Sequence, residues 1–300
     1  MAYDAGATTR WTRKKMQQTL TYSPEQLKQL QRVELEILEV ISEICDNHRI
    51  TWWLEGGSAL GAMRHQGFIP WDDDVDLGML YEDYARFLEI APKELPANMR
   101  LDNPAENKHM ACMFAKVVRT DTVFETLETR DAGYDQGVFV DVFPYGVTEL
   151  TGAEYKAQKR VLSRCVRERY LFASNSIKVP HQGALGGIER AICKIAHPLV
   201  RAFSSMERLN ERFWEAAFLG NPGRREAHAG DGIITFCYPE APIPYERMFP
   251  TREVPFEGAS FPVLNDVDYY LRMEYGDWHQ LPPVEDRKTH KPVRLVLPEA

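Results

Sequence analysis

The stretch LEGGSALGAMRHQGFIPWDDDVDLGM, residues 54–79, decides the fold because it places a glycine turn and a run of aspartates between two strands. The preceding ITWWLE (50–55) and the closing DVDLGM (74–79) have the short apolar pattern of buried strands. Glycines that follow a strand directly and precede an amphipathic run predict a tight turn that opens a helix. The stretch therefore predicts the order strand, turn, helix, strand.

The segments on either side continue this alternation of helices and strands. Upstream, Ser23 fits an N-cap, Pro24 the first helical position and Gln26 the reciprocal partner of a capping box, which predicts a helix over about 23–45. Downstream, YEDYARFLEIAPKEL (81–95) predicts a helix with acidic residues in its first turn. AKVVRTDTVF and GVFVDVFPYGV then predict two further strands. The first half is therefore a mixed α/β unit.

Changes in composition divide the chain into four regions. Residues 1–20 are polar and unpatterned, which predicts a disordered tail. Residues 21–150 hold the α/β unit, which we expect to be the functional core, because the aspartate run lies within it. Residues 151–230 are helical and basic, and we interpret them as a helical insertion into that core. Residues 231–300 return to short strands and a helix, which we expect to pack back on the core.

The bulk composition excludes several classes of protein. The 300 residues are 44% apolar and 27% charged, as in an ordinary globular protein. A net charge of -8 argues against a general nucleic-acid binder. The 5 scattered cysteines, without a C-x-x-C pair, argue against a disulfide scaffold or a zinc knuckle. The sequence shows no apolar signal segment and no run of about 18 apolar residues, so we expect a cytoplasmic protein.

Four aspartates lie within five residues at the start of the second predicted strand. In a strand, side chains at i and i+2 point to the same face, so Asp74 and Asp76 point together, with Asp72 near them on the entering loop. Carboxylates this close repel one another unless a hard cation neutralises them, and Mg²⁺ (or Mn²⁺) prefers one or two carboxylates plus substrate phosphates. A calcium loop is a weaker interpretation, because its sixth position is Leu77 instead of glycine. An acidic surface loop is the third interpretation.

Two neighbouring features favour the metal site over the surface loop. Gly56, Gly57 and Ser58 follow a strand and open a helix, where backbone N–H groups can cradle a phosphate. Asp141 lies inside the apolar strand VFVDVFP, where a lone carboxylate is costly to bury without a partner. This order of elements is that of the nucleotidyltransferase superfamily. We therefore predict an α/β (α+β) fold: a nucleotidyltransferase-like mixed sheet flanked by helices, with an added helical region.

The same residues resemble the LicD family more specifically. LEGGSALGAMRHQGFIPWDDDVDLGMLYEDYARF (54–87) is similar to the signature of that family, and GVFVDVFPYGV and YGDWHQLPP are further similar stretches. The resemblance covers about 25–150 and 245–285, and it does not extend to the basic helical region. Bacterial members of the family transfer phosphocholine from CDP-choline to cell-surface glycans. Their animal relatives, the fukutin group, transfer ribitol phosphate from a CDP donor.

The resemblance implies a metal-dependent phosphotransferase with a CDP-alcohol donor and a glycan acceptor, free or lipid-linked. It places Gly56, Gly57 and Ser58 on the phosphate turn. It places Asp72, Asp74, Asp76 and Asp141 on the metal-binding set. In this mechanism Asp74 and Asp76 bind Mg²⁺, and Asp141 either helps to bind a second ion or takes the proton of the acceptor hydroxyl. The hydroxyl attacks the phosphorus that bears the alcohol, and CMP leaves.

Two other functions fit the motif when the family resemblance is set aside. An NTP-dependent nucleotidyltransferase would use the same aspartates, but the acceptor would attack the α-phosphorus and pyrophosphate would leave. A non-catalytic glycan-binding protein could keep the fold without turnover. The intact aspartates count against the second alternative.

Positive and aromatic side chains near the motif are candidate donor contacts. We expect Arg64 and Lys116 to touch the donor diphosphate, with a surface cation or a salt bridge to the aspartates as the alternative. His65 is a weaker candidate of the same kind. A choline group would require an aromatic cage. The candidates for that cage are Trp52, Trp53, Trp71, Phe114, Tyr134, Tyr145 and Trp278.

The helical region 151–230 allows two interpretations. Arg160, Arg164 and Arg167 recur on one helical face, and GIERAICKIAHPLVRAF is apolar at every third or fourth position. The plainer interpretation is a helical subdomain with solvated charges. The alternative is a platform for an anionic or lipid-linked glycan, or a foothold on the inner membrane surface. Beyond this region, residues 275–283 are expected to form a structural clasp.

Overall fold

The computed structural model describes residues 21–174, 183–219, 225–287, 289–290 and 292–298. The predicted tail, residues 1–20, lies outside them. The helices are α1 (Pro24–His48), α2 (Gly56–His65), α3 (Tyr81–Glu94), α4 (Leu127–Ala132), α5 (Ala153–Ala173), α6 (Gly183–Phe203), α7 (Met206–Ala217), α8 (Tyr245–Met248) and α9 (Val267–Tyr275). The strands are β1 (Trp52–Leu54), β2 (Asp76–Leu80), β3 (Met99–Asp102), β4 (Ala115–Arg119), β5 (Val123–Glu125), β6 (Phe139–Thr148), β7 (Gly232–Thr235), β8 (Ile243–Pro244), β9 (Arg252–Phe256), β10 (Ala259–Val263) and β11 (Arg294–Val296).

The main sheet is mixed, and β6 is its centre. The strand order is β1-β2-β6-β4-β3, and β7 and β8 extend the sheet from the far half of β6. β2 and β6 run parallel, whereas the other neighbouring pairs are antiparallel. All ten residues of β6 are buried, as its nearly continuous apolar sequence predicts. The structure confirms the mixed α/β class predicted from the sequence.

The first helix forms where its capping signals predict it. The Ser23 side chain accepts from the Gln26 backbone, and the Gln26 side chain accepts from the Ser23 backbone. The apolar stripe of α1, which includes Leu30, Ile37 and Ile41, is fully buried in the main core. These residues therefore anchor α1 to the sheet through burial of apolar surface.

The helical region and the C-terminal region both return to the core. α5 packs against β6, and both α6 and α7 pack against α5. The β9–β10 hairpin packs against β1 and α2, and α9 packs against α2. β11 pairs with β5 in a separate two-stranded antiparallel sheet. None of the described helices is both long enough and apolar enough to cross a lipid bilayer.

Candidate active site

Two of the predicted carboxylates lie side by side on parallel strands. β2 begins at Asp76, and the register of β2 with β6 pairs this residue with Asp141. The ladder continues just outside β2, where the Asp141 N–H donates to the Val75 carbonyl at 2.9 Å and the Glu55 N–H donates to the Asp76 carbonyl at 2.9 Å. Neighbouring strands lie about 4.8 Å apart, so the backbone holds two like charges close together.

The other two predicted carboxylates lie on the loop before β2. The strand begins two residues later than the sequence predicts, so the loop, and not strand alternation, brings Asp74 towards Asp76. The Asp72 N–H donates to the Ile69 carbonyl at 2.9 Å, and the Gln31 amide of α1 donates to the Asp72 carbonyl at 2.9 Å. The side chains of Asp72 and Asp74 hydrogen-bond to each other. The loop is therefore tied to α1 at the point where its carboxylates meet.

The glycine turn requires glycine for two different reasons, a positive φ at Gly56 and the close approach of an aspartate at Gly57. Gly56 has a φ of +52°, and a Cβ there would lie 3.6 Å from the Asp76 Oδ2. A Cβ at Gly57 would lie 2.9 Å from the Asp72 Oδ2, which is too close for an ordinary contact. The Gly56 N–H donates to the Tyr270 hydroxyl at 2.8 Å. The Ser58 hydroxyl accepts from the Asp76 N–H at 2.9 Å, so this side chain fixes the start of β2.

The same turn leaves donors at the beginning of α2. Gly57 and Ser58 lie in the first helical turn, whose N–H groups have no partner inside the helix. In the described part of the chain no other backbone carbonyl accepts from them. These N–H groups adjoin the carboxylates, as a phosphate turn requires.

Burial raises the pKa of all four predicted carboxyl groups. Desolvation, followed by the charges of Asp74 and Asp73, raises the pKa of Asp72 to about 8. Desolvation and neighbouring carboxylates raise the pKa of Asp76 well above its ordinary value, and desolvation does the same, less strongly, for Asp74 and Asp141. The buried Glu34 of α1 adds a further carboxyl whose pKa desolvation and the Asp74 charge raise. Oxygen donors that are costly to ionise alone are chemically suited to a hard divalent cation such as Mg²⁺ or Mn²⁺. Among the described residues, however, no three of these four aspartates bring their ligand atoms close enough together to form a metal-ligand group.

Lys116 lies against the cluster, as a partner of Asp141. Its Nζ donates to the Asp141 Oδ1 at 2.5 Å, and both side chains are buried. Burial lowers the pKa of Lys116, but the charge and hydrogen bond of Asp141 and the charges of Cys112 and Asp76 together outweigh it, so the pKa is raised. The Nζ also lies 3.8 Å from the centre of the Phe139 ring and 5.1 Å from that of Phe114. Lys116 therefore forms the salt bridge to an aspartate that was considered for it, and its expected contact with the donor diphosphate stays a prediction.

The sequence analysis missed the role of Asp73 and His290. Asp73 is 1% exposed and accepts from the Tyr22 hydroxyl at 2.6 Å and from the His290 N–H at 2.9 Å. Burial alone would lower the pKa of His290, but its hydrogen bond to Asp73 and the charge of Asp74 raise it to about 9. Within the described residues, Asp73, Asp74 and His290 form a group whose ligand atoms lie within 4.8 Å of one another. Only Asp74 belongs to the predicted metal-binding set.

Asp73 functions as an anchor in this arrangement. Both of its carboxylate oxygens already accept hydrogen bonds from the chain, so a metal ion would compete with Tyr22 and His290 for them. The contact joins residues 217 positions apart in the sequence. No local motif could have revealed it, because all four aspartates of the run look alike in the sequence.

Arg64 reaches the predicted clasp. Its guanidinium donates to the Trp278 carbonyl at 3.0 Å and to the Gln280 carbonyl at 3.4 Å. Its Nε donates to the His65 ring at 3.0 Å. Trp278 is buried and donates to the Asp268 carboxylate at 3.1 Å. The expected contact of Arg64 with the donor stays a prediction, and the present geometry ties α2 to the segment after α9.

A cavity of about 350 Å³ opens directly beside Asp141. Its aromatic lining consists of Phe114, Phe124, Tyr134, Phe139 and Tyr170. Lys116, Glu128 and His290 also line it. Of the aromatic candidates named from the sequence, only Phe114 and Tyr134 belong to this lining. Among the others, Trp53 packs edge-to-face on Tyr145 in the core, and Trp71 lies under the Arg287 guanidinium.

The arrangement of glycine turn, loop aspartates and strand aspartate matches a known family. Residues 49–180 match the family described as "LicD/FKTN/FKRP, nucleotidyltransferase domain". This range contains the turn, all four aspartates of the run and Asp141. Residues 49–180 form a LicD-family nucleotidyltransferase domain. The resemblance seen in the sequence is therefore confirmed.

Several individual proteins are also similar to this chain. The protein named "Lipopolysaccharide cholinephosphotransferase LicD" from Haemophilus influenzae is 28% identical over 273 residues, which are 88% of this chain and 95% of that protein. The human "Ribitol 5-phosphate transferase FKRP" is 65% identical over 34 residues, 11% of this chain and 7% of that protein. The mouse "Ribitol-5-phosphate transferase FKTN" is 28% identical over 91 residues, 30% of this chain and 20% of that protein. All three are named as transferases, and this chain is a transferase.

Proposed function

We propose that this protein transfers phosphocholine, or a similar alcohol phosphate, from a CDP-alcohol to a hydroxyl group of a cell-surface glycan, with release of CMP. The observation that carries the proposal is the aromatic cavity beside the buried Asp141, which adjoins the half-buried Asp72, Asp74 and Asp76. The cluster suits the donor diphosphate and its metal, and the cavity suits a cationic alcohol. The similarity to a cholinephosphotransferase over 88% of the chain supports the same donor class. The cytoplasmic location expected from the sequence stays a prediction.

Asp74 and Asp76, with Asp72 and Asp141 beside them, are the residues that would hold Mg²⁺ or Mn²⁺. The ion would supply positive charge to the diphosphate and to the leaving CMP. The fit rests on the raised pKa values of these carboxyl groups, since each one is costly to ionise without a cation. The N–H groups of Gly57 and Ser58 would donate to the same diphosphate at the start of α2.

Asp141 is the proposed proton acceptor. The acceptor hydroxyl forms a bond to the phosphorus that bears the alcohol, and the bond from this phosphorus to the bridging diphosphate oxygen breaks. The hydroxyl proton passes to a carboxylate oxygen of Asp141, and CMP carries away the electron pair of the broken bond. Lys116 holds Asp141 in place at 2.5 Å and keeps a fraction of it ionised against the effect of burial. Such positioned proton transfer contributes about 10²–10⁴-fold in rate.

The aromatic cavity is the proposed site of the alcohol. A quaternary ammonium group is attracted to aromatic ring faces within about 6 Å. The Lys116 ammonium already lies over the rings of Phe114 and Phe139, so a choline group would use the ring faces of the cavity that this cation leaves open. Glu128 adds a carboxylate to the lining. A neutral polyol such as ribitol would gain little from these rings, so the cavity favours choline over ribitol.

The decisive experiment measures CMP release from three donors. Purified protein is incubated with CDP-choline, CDP-ribitol or CDP-ethanolamine, each with Mg²⁺ or with EDTA, and CMP is quantified by chromatography. We expect release from CDP-choline that requires Mg²⁺, with water acting as a slow acceptor. A parallel incubation with CTP tests the alternative chemistry. Pyrophosphate release from CTP without CMP release from any CDP-alcohol would identify a nucleotidyltransferase instead.

A pair of variants tests the cavity within the same assay. Phe139→Leu removes a ring of the cavity and should raise KM for CDP-choline by roughly tenfold, because a cation–π contact contributes about 0.5–2 kcal/mol. Phe261→Leu, at a buried ring of β10 outside the cavity, is the matched control and should leave KM unchanged. Equal KM values for the two variants would show that the cavity is not part of the donor site.

A further inference from the structure

Helix α6 exposes a continuous apolar stripe. The large apolar side chains on this face are between 52% and 74% exposed: Leu185, Ile188, Ile192, Ile195, Leu199 and Phe203. Their spacing of three or four residues places them on one side of the helix. Single exposed apolar residues are ordinary on protein surfaces, but a contiguous row of six marks an interaction surface.

The polar face of α6 is the one that contacts the protein. The His197 Nδ1 makes a hydrogen bond to the Leu171 carbonyl at 2.5 Å, and the Arg201 Nε donates to the Phe172 carbonyl at 2.8 Å. At about 100° per residue, His197 lies roughly opposite Ile188 around the helix. The polar side is therefore fixed to the end of α5, and the apolar side faces outward. This is the reverse of an ordinary surface helix, whose apolar stripe faces the core.

The charge around this stripe differs in sign from the charge of the rest of the chain. Residues 151–230 contain 14 Lys and Arg against 7 Asp and Glu, a net charge of +7, whereas the remaining residues carry a net charge of -15. On α5, Arg160, Arg164 and Arg167 are exposed, and Lys194 is exposed on the polar side of α6. An outward apolar stripe on a basic background is the pattern of a helix that lies in the surface of an anionic membrane.

We propose that α6 is a membrane-docking helix whose apolar stripe inserts at the boundary between headgroups and acyl chains of an anionic bilayer. The cations of α5 and α6 then contact the lipid headgroups, each adding attraction within a Debye length of the surface. A second copy of the chain is a poorer occupant, because an isologous dimer through α6 would bring two regions of charge +7 together. The docking does not depend on which group the enzyme transfers.

Vesicle co-sedimentation tests the proposal with purified full-length protein. The vesicles contain phosphatidylglycerol and phosphatidylethanolamine, or phosphatidylcholine alone. We expect the protein to pellet with the anionic vesicles and to bind the neutral ones more weakly, with binding reduced by added salt. The variant Ile192→Ser/Ile195→Ser should lower the partition coefficient on anionic vesicles by at least about tenfold, because two inserted side chains are lost. The matched control Val284→Ser changes an equally exposed apolar residue outside the stripe and should bind as the original protein does.

Each outcome decides the proposal, because the substituted side chains are exposed and their loss leaves the core intact. Thermal melting of each variant confirms that the fold is unchanged. Loss of vesicle binding in the double variant, with the control retained, supports docking through α6. Failure of the original protein to bind anionic vesicles, or equal binding by the double variant, overturns it. A dimer seen by light scattering that the double variant dissociates, without vesicle binding, assigns the stripe to a second copy instead.

Discussion

The carboxylate cluster and helix α6 depart from the usual distribution of polar and apolar groups in opposite directions. At the cluster, Asp141 is buried and Asp72, Asp74 and Asp76 are half-buried, and desolvation raises the pKa values of all four. On α6, six large apolar side chains face water while His197 and Arg201 face the protein. Both arrangements cost stability in the isolated chain. Each arrangement is therefore the basis of a proposed contact, with a cation in one case and a lipid surface in the other.

The two regions also differ in how firmly they are built into the fold. The sheet register fixes Asp76 beside Asp141 whether or not an ion is bound. α6, in contrast, is attached through hydrogen bonds to the last carbonyls of α5, and its stripe contributes little to the core. Substitutions should therefore affect activity most at the cluster and stability least on the stripe.

The largest effect is expected at the aspartates. Asp74→Asn/Asp76→Asn removes two of the negative charges that would hold the metal ion. It should lower the rate of CMP release by at least about 10³-fold, because the charge that develops on the diphosphate is then no longer stabilised. The variant should still fold, because a neutral amide avoids the cost of desolvating an ionised carboxylate at these positions. The assay is CMP release from CDP-choline with saturating Mg²⁺. Activity within tenfold of the original protein would contradict the assignment of these residues.

Removal of the cation that pairs with Asp141 should reduce stability. Lys116→Met leaves a buried carboxylate without its partner and should lower the free energy of unfolding by about 3–5 kcal/mol. Adding Asp141→Asn should restore more than half of this loss. Urea denaturation in EDTA measures both changes. Lys93→Met, in an exposed ion pair with Glu89 on α3, is the control and should change stability by less than about 0.5 kcal/mol. Similar losses for the two lysines would show that burial is not the cause.

Metal binding should stabilise the protein more at high pH than at low pH. Burial raises the folded-state pKa of Asp72 and of Glu55 to about 8, and the Asp73 hydrogen bond raises that of His290 to about 9. The folded, metal-free chain then binds more protons than the unfolded chain, so its stability falls as pH rises from about 4 towards 9. Mg²⁺ replaces protons at the carboxylates and should raise the melting temperature by about 3–6 °C at pH 8.5 and by little at pH 5.5.

The experiment for this prediction is a thermal melt in EDTA and in millimolar Mg²⁺ at both pH values, with ionic strength matched by KCl. Asp76→Asn should reduce the Mg²⁺-dependent increase at pH 8.5. An increase that is equal at the two pH values would mean that the ion binds outside the titrating cluster.

The smallest effect is expected on α6. Ile195→Ala shortens a side chain that is 66% exposed and should change the free energy of unfolding by less than about 0.5 kcal/mol. Ile41→Ala makes the same change at a fully buried position of α1 and should cost about 2–5 kcal/mol. Chemical denaturation compares the two. A loss above about 2 kcal/mol for Ile195→Ala would mean that the stripe is covered by protein.

Local signals in the sequence predicted much of this molecule. The capping box at Ser23 and the apolar strand around Asp141 were correct because neighbouring residues specify them. The start of β2 was placed two residues early, because alternation in DVDLGM does not reveal where pairing begins. The anchoring of Asp73 by His290 and the reversed orientation of α6 depend on contacts between distant segments, which no local pattern encodes.

The contact between Asp73 and His290 has a consequence for the order in which the protein is made. The partners are 217 residues apart, so the aspartate loop leaves the ribosome long before its anchor is synthesised. At about 5–20 residues per second, this interval is roughly 10–40 seconds. During that time the nascent chain can form α1 and the strands of the core, but the loop lacks one of its hydrogen-bond donors. Anchoring of the aspartate loop is therefore completed late in the biogenesis of this protein, and a nascent chain stalled before residue 290 would hold an incompletely anchored loop.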